Sequence, residues 1–181
     1  MSATNLPPIP GIDSFSGDIY HTGKWPQSPV DFTGKRVAVI GTGSSGCQAI
    51  PLIAEQAEQV TVFQRTANYL IPAHNKPLAA ATSRAIKQNY KEFRAHNKTY
   101  PFAFFFEAID KSALEVSAEE REQAYEEAWG RGGLMFLGTF NDLITSEEAN
   151  LTAQEFFRNK LRAVVKDPLT AEQLMPDFNL G

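Results

Sequence analysis

The residues best suited to chemistry lie in one short run, Gly41-Thr42-Gly43-Ser44-Ser45-Gly46. Its GxGxxG spacing follows an apolar stretch that reads as a strand and opens one that reads as a helix. In that context such a turn cradles phosphates. The first glycine permits the tight turn, the second lets a pyrophosphate approach the backbone, and the third lets the helix pack on the strand. Free amides and the partial positive charge of the helix amino end complete an anion site. Without a ligand the same residues would make a plain strand–turn–helix. Beyond the next strand stands Gln64-Arg65-Thr66. A site for NAD or FAD usually places a carboxylate there, on the ribose hydroxyls. Here a guanidinium stands instead. Arg65 can grip a 2′-phosphate in bidentate fashion and Thr66 can add a hydroxyl donor, so the spacing predicts NADP. As the plainer alternative, Arg65 is a solvated charge at a strand end. Gln48, one turn into the helix, is assigned to the pyrophosphate region with Thr42 to Gly46. Cys47 sits where a helix amino end would lower a thiol pKa, but packing as a small apolar residue under the loop is the favoured reading. His74 and His96 have no partners at metal-ligand spacing. Ser44 and Ser45 belong to the phosphate loop, so no Ser/His/Asp arrangement is arguable. Neither a catalytic residue nor a metal site is expected.

The elements that must position this loop are short. Residues 35–40 and 59–64 read as buried strands, and 44–57 as the helix between them, with Pro51 as a blemish inside it. Together they form one βαβ unit, right-handed by rule. Past residue 66 the pattern becomes helical. Leu78, Ala81, Ala85, Ile86, Tyr90 and Phe93 fall at helical spacing over 78–95. An aromatic cluster follows at 100–106, including Phe102, Phe104, Phe105 and Phe106, and inter-domain or core packing is its favoured role. Ser117 to Glu120 reads as a capping box, with a helix to about Trp129 stopped by glycines. Thr145 to Glu148 repeats the signal before a helix through about Val165, ended by Asp167-Pro168. Thr170 starts a last short turn. Two parallel strands do not make a stable sheet. The expected fold is therefore α/β, a Rossmann-like βαβ nucleotide-binding unit with a helical insertion, a piece of a larger domain.

Upstream, residues 1–34 are rich in proline and aromatics and read as extended chain that packs on something. They carry Phe15, Gly17, His21, Trp25 and Pro26 in the spacing FxGxxxHxxxWP. By physics alone His21 is a satisfied loop histidine and Trp25 a packing anchor. Composition excludes several classes. With one cysteine in 181 residues there is no disulfide framework and no cysteine-based zinc site. A net charge of −4 with scattered bases argues against nucleic acid or an anionic membrane as partner. No apolar run reaches a membrane span, the first residues lack the features of a signal peptide, and a cytoplasmic protein is expected.

The motif FxGxxxHxxxWP resembles the fingerprint of the type I Baeyer–Villiger monooxygenases, matching at every fixed position. Flavin-containing and N-hydroxylating relatives usually have tyrosine where this chain has Trp25. The resemblance extends through Val62 to Thr66, Trp129 to Gly133, Glu148 to Asn150 and Asp167-Pro168, and covers essentially the whole chain. It implies an NADPH- and FAD-dependent enzyme that uses O2 to convert ketones into esters or lactones. It also implies that the main FAD-binding half and a downstream Lys-Arg pair lie outside these residues. The chain alone is then expected to be inactive, with the FAD-binding portion as its partner and the fold incomplete relative to the full family. The corresponding division is 1–34 as inter-domain linker carrying the motif, 35–77 as the NADP-binding βαβ unit and 78–181 as a helical subdomain. Two other readings stay open: part of an N- or S-oxygenating flavin monooxygenase, and a non-catalytic NADP-binding module.

Overall fold

Alternating valines at 37, 39, 60 and 62 favour extended backbone, and they fall in the two strands observed, β1 (Arg36–Ile40) and β2 (Gln59–Phe63). The structure, a computed structural model, describes residues 4–100 and 109–181. Most of the expected aromatic cluster at 100–106 lies outside the described residues. The chain divides into two compact units, Met1–Asn68 and Tyr69–Gly181.

In the first unit β1 and β2 pair in parallel, in register from Arg36 opposite Gln59 to Ile40 opposite Phe63. Helix α1 (Ser44–Ala54) connects them. It ends three residues before the sequence reading had it, in turns closed by Glu55 N–H to Pro51 O and Ala57 N–H to Ile53 O. Pro51 lies inside α1, where it withholds the amide that would reach the Cys47 carbonyl. The expectation of buried strands is corrected. No residue of either strand is buried, and Ile40 and Phe63 are 67 % and 57 % exposed. A lone strand pair with one crossing helix offers cover for only part of its surface. Among the described residues of this unit, the buried apolar ones are Phe32, Ile53 and Ala67. Phe32 also closes an aromatic group with Tyr20 and Trp25, their ring centroids 5.7–6.3 Å apart.

The second unit begins with Tyr69, so residues 69–77 group with the helices rather than with the βαβ unit. The Tyr69 ring meets Phe157 edge-on at 4.9 Å, its hydroxyl donates to Phe178 O, and Gly133 N–H donates to Pro72 O. The single helical run expected over 78–95 is two helices, α2 (Ala80–Gln88) and α3 (Tyr90–Asn97). Asn89 breaks it: its φ of −112° and ψ of 26° leave the helical region, and its amide side chain donates to Ala85 O. No residue of α2 or α3 is buried.

Helix α4 (Ala118–Arg131) is capped by Ser117, whose hydroxyl accepts from Glu120 N–H at 3.1 Å. The reciprocal half of the expected capping box is replaced, for the Glu120 carboxylate instead takes Lys111 Nζ at 2.8 Å. Gly132, at φ 77°, ends this helix, and a Cβ there would collide with the Pro72 carbonyl. Helix α5 (Glu147–Val164) is capped by Ser146, one residue past the expected Thr145. In α6 (Pro168–Gln173) Asp167 is the cap, accepting from Thr170 N–H, so Thr170 lies inside the helix and does not start it. Proline at the first helical position explains the arrangement, because its missing N–H costs nothing there.

The core of this unit stacks Tyr125, Phe136, Phe140 and Phe156 with Leu143 and small alanines from α4 and α5. Asn150 is buried at its base. Its amide nitrogen donates to Leu143 O and Leu180 O, and its oxygen accepts from Leu180 N–H and Gln154 Nε2. That clamp binds the segment ending at Gly181 to α5.

Candidate dinucleotide site

The glycine turn joins the end of β1 to the start of α1, and each glycine has its own physical reason. Gly41 lies at φ 99°, a conformation that side chains disfavour, and its N–H donates to Phe63 O at the end of β2. Gly46 is excluded from alanine by packing, because a Cβ would strike the Gly41 carbonyl oxygen. Around Gly43 the space is open, with no heavy atom within 4 Å of where a Cβ would stand. Gly43 is also the N-cap of α1, and no side chain caps that first turn. A helix amino end left uncapped beside open space has the donors and the room an anion requires. The residues therefore fit a bound pyrophosphate.

The other predicted residues divide into those facing outward and those turned back on the protein. Arg65 is exposed and enters no ion pair among the described residues, so its guanidinium is uncommitted. Thr66 is exposed beside it, and its carbonyl accepts from Thr42 Oγ1 at 3.4 Å, which ties the loop to the end of β2. Gln48 is exposed, and its side-chain amide donates to Ser44 O at 3.0 Å, as a local brace of α1. Cys47 Sγ donates to Thr42 O at 3.0 Å, and burial pushes its thiol pKa up. Both observations accord with packing under the loop. Asn68, which the sequence reading passed over, donates through Nδ2 to the same Thr42 carbonyl at 3.2 Å. Its place just past a strand end was the only signal in the sequence.

The motif residues upstream are organised locally. His21 Nδ1 accepts from Gly23 N–H at 3.0 Å and caps a 3-10 turn, Thr22–Lys24. That bond puts the proton of the neutral ring on Nε2. Trp25 packs on Tyr20 and Phe32, as an anchor would. Phe15 is 62 % exposed, with its ring lying where a Cβ at Gly17 would stand. Trp25 and Phe32 meet Ser45, Gln48 and Leu52 of α1, and Gln56 just beyond it, around an open groove of about 460 Å³. The structure thus gathers Trp25 of the motif and the first turns of α1 on one groove, while Phe15, Gly17 and His21 stand outside its lining. His74 is exposed, with Nε2 3.2 Å from Trp129 O, and His96 is exposed beside Tyr100. Among the described residues no group of metal-ligating side chains forms, and no helix is long and apolar enough to cross a membrane.

Residues 2–79 match the family described as flavin-binding monooxygenase-like. A cyclohexanone 1,2-monooxygenase from an Acinetobacter species is 45 % identical over 179 residues, covering 97 % of this chain and 33 % of that protein. A phenazine N-monooxygenase from Lysobacter antibioticus is 40 % identical, over 97 % of this chain and 33 % of that one. Among solved structures, an oxidised steroid monooxygenase bound to NADP superimposes with a TM-score of 0.87 at 54 % identity, covering 99 % of this chain and 35 % of that one. The chain is therefore a relative of the flavin-dependent monooxygenases. More narrowly, it is homologous to the Baeyer–Villiger monooxygenases, and it spans about a third of the length of the relatives it matches.

Proposed function

We propose that this chain forms the NADP(H)-binding part of an FAD-dependent Baeyer–Villiger monooxygenase, a cytoplasmic enzyme that converts ketones into esters or lactones. The observation that carries the reading is the glycine turn, open at Gly43 and uncapped at α1, with the uncommitted Arg65 beyond the next strand. In this Rossmann-like arrangement the amides of residues 43–46 bind the pyrophosphate, and Arg65 with the Thr66 hydroxyl holds the 2′-phosphate. Thr42 and Gln48 belong to the pyrophosphate region, where each also places one donor on a protein carbonyl and so shapes the loop. Phe15, Gly17, His21 and Trp25 form the segment between nucleotide domains, with Trp25 at the groove beside α1.

When bound, NADPH supplies reducing equivalents and FAD supplies the oxygen chemistry. The chain carries a single GxGxxG, which the NADP role uses, so no second loop is left for FAD. The work of these residues is to bind and orient the nicotinamide dinucleotide. Oxygenation at nitrogen is the second reading, favoured by the 40 % identity to a phenazine N-monooxygenase. Trp25-Pro26 favours the ketone reading over it.

A thermal-shift titration with NADP+ and NAD+ tests the proposal. Ligand at about a hundred times its Kd stabilises by roughly 2.7 kcal/mol. The expected result is a rise in Tm with NADP+ that NAD+ does not match and that Arg65→Ala removes. A chain that melts cooperatively and responds to neither nucleotide overturns it.

A further inference from the structure

Two donors converge on one backbone carbonyl of the glycine loop. Thr42 O accepts from Asn68 Nδ2 at 3.2 Å and from Cys47 Sγ at 3.0 Å. One donor comes from beyond β2 and the other from the first turn of α1, so the oxygen is held from two sides. A carbonyl has two lone pairs, and both are used. The peptide unit is planar and trans, so the Thr42 C=O and the Gly43 N–H point in opposite directions. Fixing the oxygen toward Asn68 and Cys47 fixes the Gly43 hydrogen on the far side. The space around Gly43 is open, as it is around Gly41.

We propose that Asn68 and Cys47 are positioning residues that lock the Thr42–Gly43 peptide with its N–H presented to the dinucleotide pyrophosphate and its carbonyl withdrawn. This rests on the proposed function for the identity of the anion. The electrostatics explain why a lock is useful. A flip of that one peptide would replace a donor by a carbonyl oxygen against a doubly charged pyrophosphate. Glycine at 43 places little steric restraint on such a flip, so the restraint has to come from neighbours. Burial raises the Cys47 pKa, which keeps the thiol protonated and its S–H available as donor. Neither residue reads the 2′-phosphate. The lock therefore acts on NADP and NAD alike, whereas Arg65 acts on the difference between them.

The test uses the full chain with Asn68→Leu, Cys47→Ala and Cys47→Ser, the last retaining a donor. Two quantities are measured: the Thr42 carbonyl carbon shift by NMR without nucleotide, and Kd for NADP+ and NAD+ by calorimetry. Asn68→Leu and Cys47→Ala are expected to move the carbonyl resonance upfield. Each should weaken both nucleotides by the same factor, about fivefold for one lost hydrogen bond. Cys47→Ser should restore the wild-type values, and Arg65→Ala should instead change the ratio of the two affinities. Weakening confined to NADP+ would make Asn68 a phosphate reader and overturn the lock. Unmoved carbonyl shifts in both variants overturn it whatever the nucleotide data show. A wild-type chain that binds neither nucleotide overturns the proposed function, and the carbonyl shift then decides the lock by itself.

Discussion

The two units of the chain solve opposite problems. In the second, the side chains that matter are consumed by one another: Tyr125 is enclosed by Phe136, Phe140 and Phe156, and its hydroxyl meets Thr152 Oγ1 at 2.7 Å. Asn150 and Gln154 are buried with their polar atoms matched. In the first, the groups that matter are left over. The amide end of α1 has no side-chain cap, Arg65 has no ion pair among the described residues, and apolar Ile40, Leu52 and Phe63 are exposed. A core is stable because its groups are satisfied internally, and a site binds because some of its groups are not. The difference assigns stability to residues 69–181 and recognition to residues 4–68.

The comparison breaks most visibly under large-to-small substitution. Phe156→Ala should cost about 3–5 kcal/mol of the second unit's stability in denaturant unfolding, because the surrounding rings cannot collapse into the space. Val62→Ala in β2, half in water already, should cost well under about 1 kcal/mol. Equal losses would sink the contrast. Asn150→Leu comes next. It leaves the Leu143 and Leu180 carbonyls and the Leu180 amide without partners, for an expected loss of about 2–3 kcal/mol. Limited proteolysis should then release the segment near Leu180 first. A protected C-terminal segment in that variant would show that packing of Leu180 and Phe178 holds it without the clamp.

The smallest of the three effects sharpens the comparison through pH. Burial pushes the Tyr125 pKa from 10.0 up to about 12, with the Thr152 hydrogen bond opposing that rise. A raised folded-state pKa means that the folded chain keeps a proton the unfolded chain loses. The contribution is fully present below pH 10, and stability falls as pH rises from 10 toward 12. The loss should approach roughly 2 kcal/mol and should be read in the second unit's melting. In Tyr125→Phe the alkaline slope should flatten. A slope that survives the substitution would assign it to other groups.

Much of the site was legible because backbone requirements leave marks in residue type. Gly41 and Gly46 are constrained by a positive φ and by a close carbonyl, and no other residue type answers both, so the GxGxxG spacing carried real information. Ser117 declared its helix for the same reason, since a capping oxygen satisfies amides that nothing else nearby can reach. Arg65 stood out by what it replaced. Side-chain direction left no such mark. Gln48 is read for the pyrophosphate region and Cys47 for packing under the loop, and only the fold shows the Gln48 amide on Ser44 O and the Cys47 thiol on Thr42 O. The strands read as buried because valine alternation reports β structure, while burial depends on what lies against the faces.

By itself, then, the sequence determined the parallel strand pair, the loop between it and α1, the helical character of residues 118–173 and the kinship with the Baeyer–Villiger enzymes. These follow from local backbone preference and from residue identity. The tertiary structure alone decided that Asn89 splits the expected helix, that residues 69–77 join the helical unit, that Asn150 clamps the segment ending at Gly181, and that Asn68 reaches the glycine loop. Each of these depends on contacts between residues or elements whose geometry the linear spacing leaves undefined. A hydrogen bond needs its partner within about 3 Å and correctly aimed, a condition that only the folded chain supplies.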